Sequence, residues 1–185
     1  MNKVLIVVDM QNDFVDGVLG TPEAVNIVNN VVDKINNYNT WHHRVYATKD
    51  THSEKYLHTP EGIMLPVQHC VVGTEGWKME EKVTSALCQC LAYSRVYQKQ
   101  TFGCSELIQD LLDEHAYAPF DQIELVGLCT DICVLTNAIM LKQTFAKEFV
   151  DIIVDASCCA GSTPEKHKAA LDVMKSCQIQ IINED

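Results

Sequence analysis

The chain has 185 residues, 47% of them hydrophobic and 21% charged, enough for one soluble domain with a full apolar core and short for two. Its formal net charge of −11, with no cluster of Lys and Arg, argues against a nucleic-acid partner and against an anionic membrane surface. The opening apolar run, Val4 to Val8, stops at Asp9, too short for a secretory core, and no run nears the roughly 18 apolar residues of a membrane span, so the expectation is a cytoplasmic protein.

In chain order, the first predicted strand is "KVLIVV" (3–8). A helix comes next, with Thr21 as N-cap, Pro22 at its first position, and Val25, Val28, Val32 and Ile35 recurring at helical spacing. "RVYATK" (44–49) is the second strand. Residues 50–92 fit a regular pattern least, with one weak helix and a long irregular stretch, and loops of that size are usually functional. "SRVYQK" (94–99), "QIELVG" (122–127), "VDIIVD" (150–155) and "QIQIIN" (178–183) are the remaining strands. Between them lie helices over "SELIQDLLDEH", over the run after Cys133, and after a second Thr-Pro-Glu at Thr163, with Ala170, Leu171 and Met174 on one face. Strands alternating with helices imply a single three-layer α/β/α domain over 1–185, with a mostly parallel sheet of about six strands.

In such folds ligands sit beyond the carboxyl ends of the strands. No G-x-G-x-x-G or P-loop comes after any strand, so a nucleotide site has no support. The strands lead instead into Asp9, then Asp50 and His52, then Lys99, then Cys129 and Cys133. Singly, each has a plain structural role: an acid at a strand end is commonly a cap, a lysine a solvated end. Nine cysteines, an odd count without Cys-x-x-Cys, read mostly as inert apolar filler in a reducing compartment. Together the residues make a chemical set, because a thiol near a helix N-terminus can be activated by an acid that a lysine holds.

A second set lies in "KDTHSEKYLHTPEGIMLPVQHCVVGTEGW". Asp50 and His52 fall on one side of an extended segment, and His69 from a loop would complete a facial metal set with positions left open. The plainer reading is that both histidines only bond loop carbonyls. His58 lies nearby, but a three-ligand set does not require it.

"LIVVDMQNDF", "KQTFG" and "GLCTDICV" resemble the three motifs of the isochorismatase-like cysteine hydrolases, the superfamily that includes nicotinamidase, and the likeness runs nearly end to end. The resemblance implies Asp9 as general base, Lys99 as its partner and Cys133 as nucleophile. It implies a cis Leu128–Cys129 bond, so that the N–H groups of Cys129 and Cys133 form an oxyanion hole. It implies a metal on Asp50, His52 and His69, Zn²⁺ first, with Mn²⁺ and Fe²⁺ compatible with such a mixed donor set. The implied reaction is hydrolysis of nicotinamide or another small carboxamide, and relatives are often homo-oligomers. One departure stands out: Leu65 occupies a position where such enzymes often carry a Trp against the substrate ring, leaving Phe14 and Phe102 as aromatic candidates beside it. That departure motivates an alternative, the same triad acting on an N-carbamoyl compound or ureide. A non-catalytic receiver-like domain is a third reading, but receivers need adjacent acids after the first strand, and here they are Asp9 and Asp13.

Overall fold

In the computed structural model, which describes residues 1–41, 43–90 and 94–184, the strands are β1 (Lys3–Val8), β2 (Arg44–Asp50), β3 (Ser94–Lys99), β4 (Gln122–Leu128), β5 (Asp151–Ala160) and β6 (Gln180–Ile182). They form one sheet in the order β3-β2-β1-β4-β5-β6, and every pairing is parallel. The chain winds outward from β1 to β3, then returns to β1's other side as β4. The strand order reverses between β1 and β4, and a crevice opens there in folds of this kind.

Both sheet faces are covered, which is why β1 reads as a continuous apolar run rather than an alternating one. Val4, Ile6 and Val8 face one apolar cluster, and Leu5 and Val7 face another, all fully buried. The first cluster is roofed by α5 (Ser105–Tyr117), α6 (Leu135–Thr144) and α7 (Pro164–Ser176), and the second by α1 (Asn12–Val15), α2 (Pro22–Thr40) and α4 (Glu81–Cys88).

The predicted N-caps form: the Thr21 hydroxyl accepts from Ala24 N at 3.0 Å and that of Thr163 from Lys166 N at 3.2 Å. The predicted face of α2 is rotated, however. The helix buries Ala24, Ile27, Val28, Val31, Ile35 and Tyr38, while Val25 is 48% exposed. Val25 and Val32 lie on one flank of the buried face, so valine spacing alone places the centre of that face too far to their side. The contacts set it: small Ala24 sits buried against the sheet side and the Tyr38 hydroxyl bonds Glu124 at 2.6 Å. β5 also runs past the predicted end at Asp155, because that acid is buried against Lys34 at 2.6 Å and does not end the strand.

Residues 50–90 are more ordered than expected. They hold a 3₁₀ turn at Tyr56–His58, the short α3 (Pro60–Met64) and α4. Thr59 caps α3 as a third Thr-Pro-Glu start, accepting from Gly62 N at 3.0 Å. A Cβ at Gly62 would lie 2.1 Å from the Tyr56 carbonyl oxygen, so only glycine lets this helix pack so close to the preceding turn.

Candidate active site and metal centre

β1 ends with Asp9 in the left-handed region at φ 46°, an uncommon conformation for a residue with a side chain. The carboxylate is fully buried. Its Oδ1 accepts from the Thr48 hydroxyl at 2.7 Å, and its Oδ2 lies 2.7 Å from Lys99 Nζ in an ion contact. Lys99, at the end of β3, is itself buried and also donates to Cys133 Sγ at 3.5 Å. Asp50 Oδ1 is 3.7 Å from the same ammonium. Burial would lower the Lys99 pKa, but Asp9, then Cys133 and Asp50, raise it well above the ordinary lysine value.

Cys133 arrives on a single π-helical turn, Thr130–Val134, which leads directly into α6. β4 delivers that turn against β1 because Gly127 takes φ 116°, where a Cβ would be 2.1 Å from the Val8 carbonyl oxygen. The Leu128–Cys129 peptide bond is cis, as expected. The turn is then tied down from three sides. Buried Asn137 donates to the Cys133 carbonyl at 2.8 Å and accepts from Cys104 N at 2.9 Å. The Asp131 carboxylate accepts from Ser162 N and its hydroxyl at 2.8 and 2.7 Å. Thr130 and His167 share a 2.8 Å hydrogen bond.

Burial pushes the Cys133 thiol well above its ordinary pKa, and the charge of the Asp9 carboxylate pushes the same way against the opposing pull of Lys99. Burial beside a carboxylate therefore disfavours a free thiolate at this sulfur, and the Lys99 ammonium opposes that. Cys129 is also raised, to about 12, by burial and then by Asp131 and Asp9.

The second set converges beside the first. His52 Nε2 and His69 Nε2 lie 2.8 and 3.4 Å from Asp50 Oδ2. His69 Nδ1 donates to the Val67 carbonyl at 2.8 Å, so that nitrogen is committed to the backbone and Nε2 is the one turned toward Asp50 and the cluster. The loop that carries His69 pairs with β2's extension: His52 N donates to Cys70 O and Val72 N to His52 O, both at 2.9 Å. The structure adds Glu61 of α3, so that donor atoms of Asp50, His52, Glu61 and His69 all lie within 4.8 Å of one another. Two imidazoles and two carboxylates clustered this tightly fit a divalent ion, which accepts four to six such donors. Glu61 had no signal in the sequence, since an acid in a helix's first turn is the ordinary choice there. His58 lies outside the cluster.

The residues after Asp9 hold this metal set in place. Gln11 is fully buried, accepting from Asp50 N at 2.7 Å and donating to the carbonyls of Asp50 and Trp77 at 2.9 Å each. Asp13 Oδ2 accepts from Cys70 N at 2.8 Å, next to His69. Replacing Asp13 by Ala is expected to lower Zn²⁺ affinity by about 10- to 100-fold with the fold retained, as loss of a partner that orients a ligand does. Competition with a chelating dye, alongside circular dichroism, measures it; unchanged affinity would refute that role.

Of the predicted substrate contacts, Leu65 and Phe102 line a cavity of about 700 Å³ that reaches His52 and Glu61 on one side and Ile132 on the other. Phe14 does not line it; it is 7% exposed and packs on the His69 ring with centroids 5.5 Å apart.

Residues 3–185 match the isochorismatase domain family. The chain is 27% identical over 191 residues to a nicotinamidase/pyrazinamidase of Mycobacterium tuberculosis, covering 97% of this chain and 98% of that protein. Its fold matches the crystal structure of a nicotinamidase/pyrazinamidase from Bacillus subtilis with a TM-score of 0.80 at 25% identity, over 98% and 99% of the two chains. It matches that of a Pyrococcus horikoshii pyrazinamidase in complex with zinc with a TM-score of 0.74 at 25% identity, over 98% and 99%. With β1, β3 and β4 delivering an acid, a lysine and a cysteine to one crevice, and with this likeness along its length, the chain belongs to the isochorismatase family.

Proposed function

We propose that this protein hydrolyses nicotinamide or a similar small carboxamide to the carboxylate and ammonia, with Cys133 as nucleophile. Its relatives' amide-cleaving activities make it a hydrolase of amide C–N bonds. The observation that carries the cysteine mechanism is the single ammonium of Lys99, 2.7 Å from Asp9 and 3.5 Å from the Cys133 sulfur.

Asp9 takes the thiol proton as sulfur attacks the amide carbon, so charge moves from one buried atom to its neighbour beside a fixed cation. The backbone N–H groups of Cys129 and Cys133 donate to the carbonyl oxygen as it becomes an anion; losing one such donor costs roughly 3 kcal/mol in other enzymes. Asp9 then gives its proton to the departing nitrogen, ammonia leaves, and a thioester remains. Asp9 next removes a proton from water as it attacks the thioester, and returns it to the sulfur as the carboxylate departs. Asp50, His52, Glu61 and His69 would hold a divalent ion, Zn²⁺ first, with Mn²⁺ and Fe²⁺ compatible. Bound there, such an ion supplies a Lewis acid for a ring nitrogen or other donor and orders water.

The direct test is ammonia release from nicotinamide, with and without a chelator. Turnover that falls at least about tenfold on chelation is expected, given the donor set. Absence of ammonia from nicotinamide and from every related carboxamide would overturn the proposal. Leu65 keeps a second reading alive, an N-carbamoyl compound or ureide as substrate, and ranking amides by kcat/KM decides between them. A receiver-like role has no support, since Asp13 is spent on the Cys70 backbone rather than paired with Asp9.

A further inference from the structure

The cavity over the site is much larger than a bare pyridine carboxamide needs. At about 700 Å³ it falls among sites that hold drug-sized ligands. Its outer wall is apolar: Leu65 and Phe102 are 37% and 47% exposed, Met64 is 85% exposed, and Ile132 lies next to Cys133. Exposed side chains of this size, grouped at the mouth of a cavity, mark a surface that a ligand covers. Among the described residues no Lys or Arg lines the cavity, and its acid, Glu61, faces the metal cluster. Lys99 is buried and committed to Asp9 and Asp50. A carboxylate-bearing substrate, such as an N-carbamoyl amino acid, would therefore find no cationic side chain there, whereas an uncharged alkyl group would find a partner wall.

We infer that the Met64–Leu65–Phe102 wall is a subsite for an uncharged apolar substituent on a ring carboxamide, so that extended, neutral carboxamides are preferred over the unsubstituted ring. This rests on the proposed amidase reaction. The subsite lies at the end of α3, opposite the loop after β3. Its walls come from a helix C-terminus and a strand-end loop, and neither is held by the sheet's register. The same cavity is lined by His52 and Glu61 of the clustered donors.

The experiment compares nicotinamide with its propyl and carboxyethyl derivatives at each open ring carbon, reading ammonia release. At least one propyl isomer is expected to exceed nicotinamide in kcat/KM by about tenfold, the scale that a few buried methylenes supply, and its carboxyethyl counterpart to fall about tenfold below it. Met64→Ser is expected to lower the propyl-to-nicotinamide ratio of kcat/KM several-fold. If nicotinamide is hydrolysed and no propyl isomer surpasses it, the subsite is refuted and the amidase reading stands. If nothing is hydrolysed, both fall. A dimer seen in sedimentation that dissociates on Met64→Ser would assign this wall to contact between copies and overturn the inference.

Discussion

Cys133→Ala is expected to reduce ammonia release from a good carboxamide substrate by about 10⁴-fold or more, the scale on which removing a nucleophile acts. Cys133 is 5% exposed, so the change removes one buried sulfur, and its melting temperature should fall by only about 2–4 °C. Cys129→Ala is the matched control. It deletes a neighbouring sulfur but keeps the backbone N–H, and its rate should stay within about threefold of wild type, because an oxyanion donor on the main chain survives side-chain truncation. The pair separates a reactive thiol from a structural one four residues away. Comparable rates for wild type and Cys133→Ala would end the thioester mechanism.

Lys99→Met should damage both rate and stability. The side chain is 2% exposed, and its ammonium stands between two buried carboxylates, 2.7 Å from Asp9 and 3.7 Å from Asp50. Removing one partner of a buried charged group leaves the others uncompensated, at a cost of about 3–5 kcal/mol. Urea unfolding in the presence of a chelator, so that no bound ion intervenes, reads this loss. The pH dependence carries a sign. Lys99 has its folded pKa raised, so its contribution is complete below the unfolded value near 10.4 and disappears as the pH rises through the higher folded one.

Asp50 behaves oppositely. Burial would raise its pKa, but hydrogen bonds from His52 and His69 and the charge of Lys99 hold it below the ordinary carboxylate range. Its contribution is present above the unfolded value near 4 and is lost as the pH falls through the lower folded value. Without Lys99 that depression is weaker. The stability gap between wild type and Lys99→Met should therefore narrow between about pH 4 and pH 2, where the lower folded value makes the wild type lose more than the variant does. A gap independent of pH over that range would mean that the ammonium does not compensate these carboxylates. Turnover should drop by about 10²- to 10⁴-fold, since Asp9, the proposed proton carrier, loses the group that holds it.

Which features were visible in the residues alone depends on which of them are local. Six strands and their helices arise from apolar periodicity and from Thr-Pro-Glu starts, both local to a few turns, and they form at the expected places. Asp9, Lys99 and Cys133 were legible because in a parallel sheet every strand ends at the same edge, so residues directly after strands share a crevice. The rotated face of α2 was not legible, since Val25 and Val32 extend the apolar stripe on one flank and packing chose its centre. Thr48 on Asp9 and Asn137 on Cys133 were not legible either: a threonine within a strand and an asparagine within a helix carry no mark of what they touch.

Chain order and side-chain chemistry were thus sufficient for the architecture, for the acid–lysine–cysteine set and for three of the four clustered metal donors. Glu61, the ring orientation of His69 and the apolar wall at Met64 arise only when segments distant in sequence are brought within a few ångströms. A hydrogen bond or a shared donor set depends on distance and angle in space, and spacing along the chain encodes neither until the sheet has assembled.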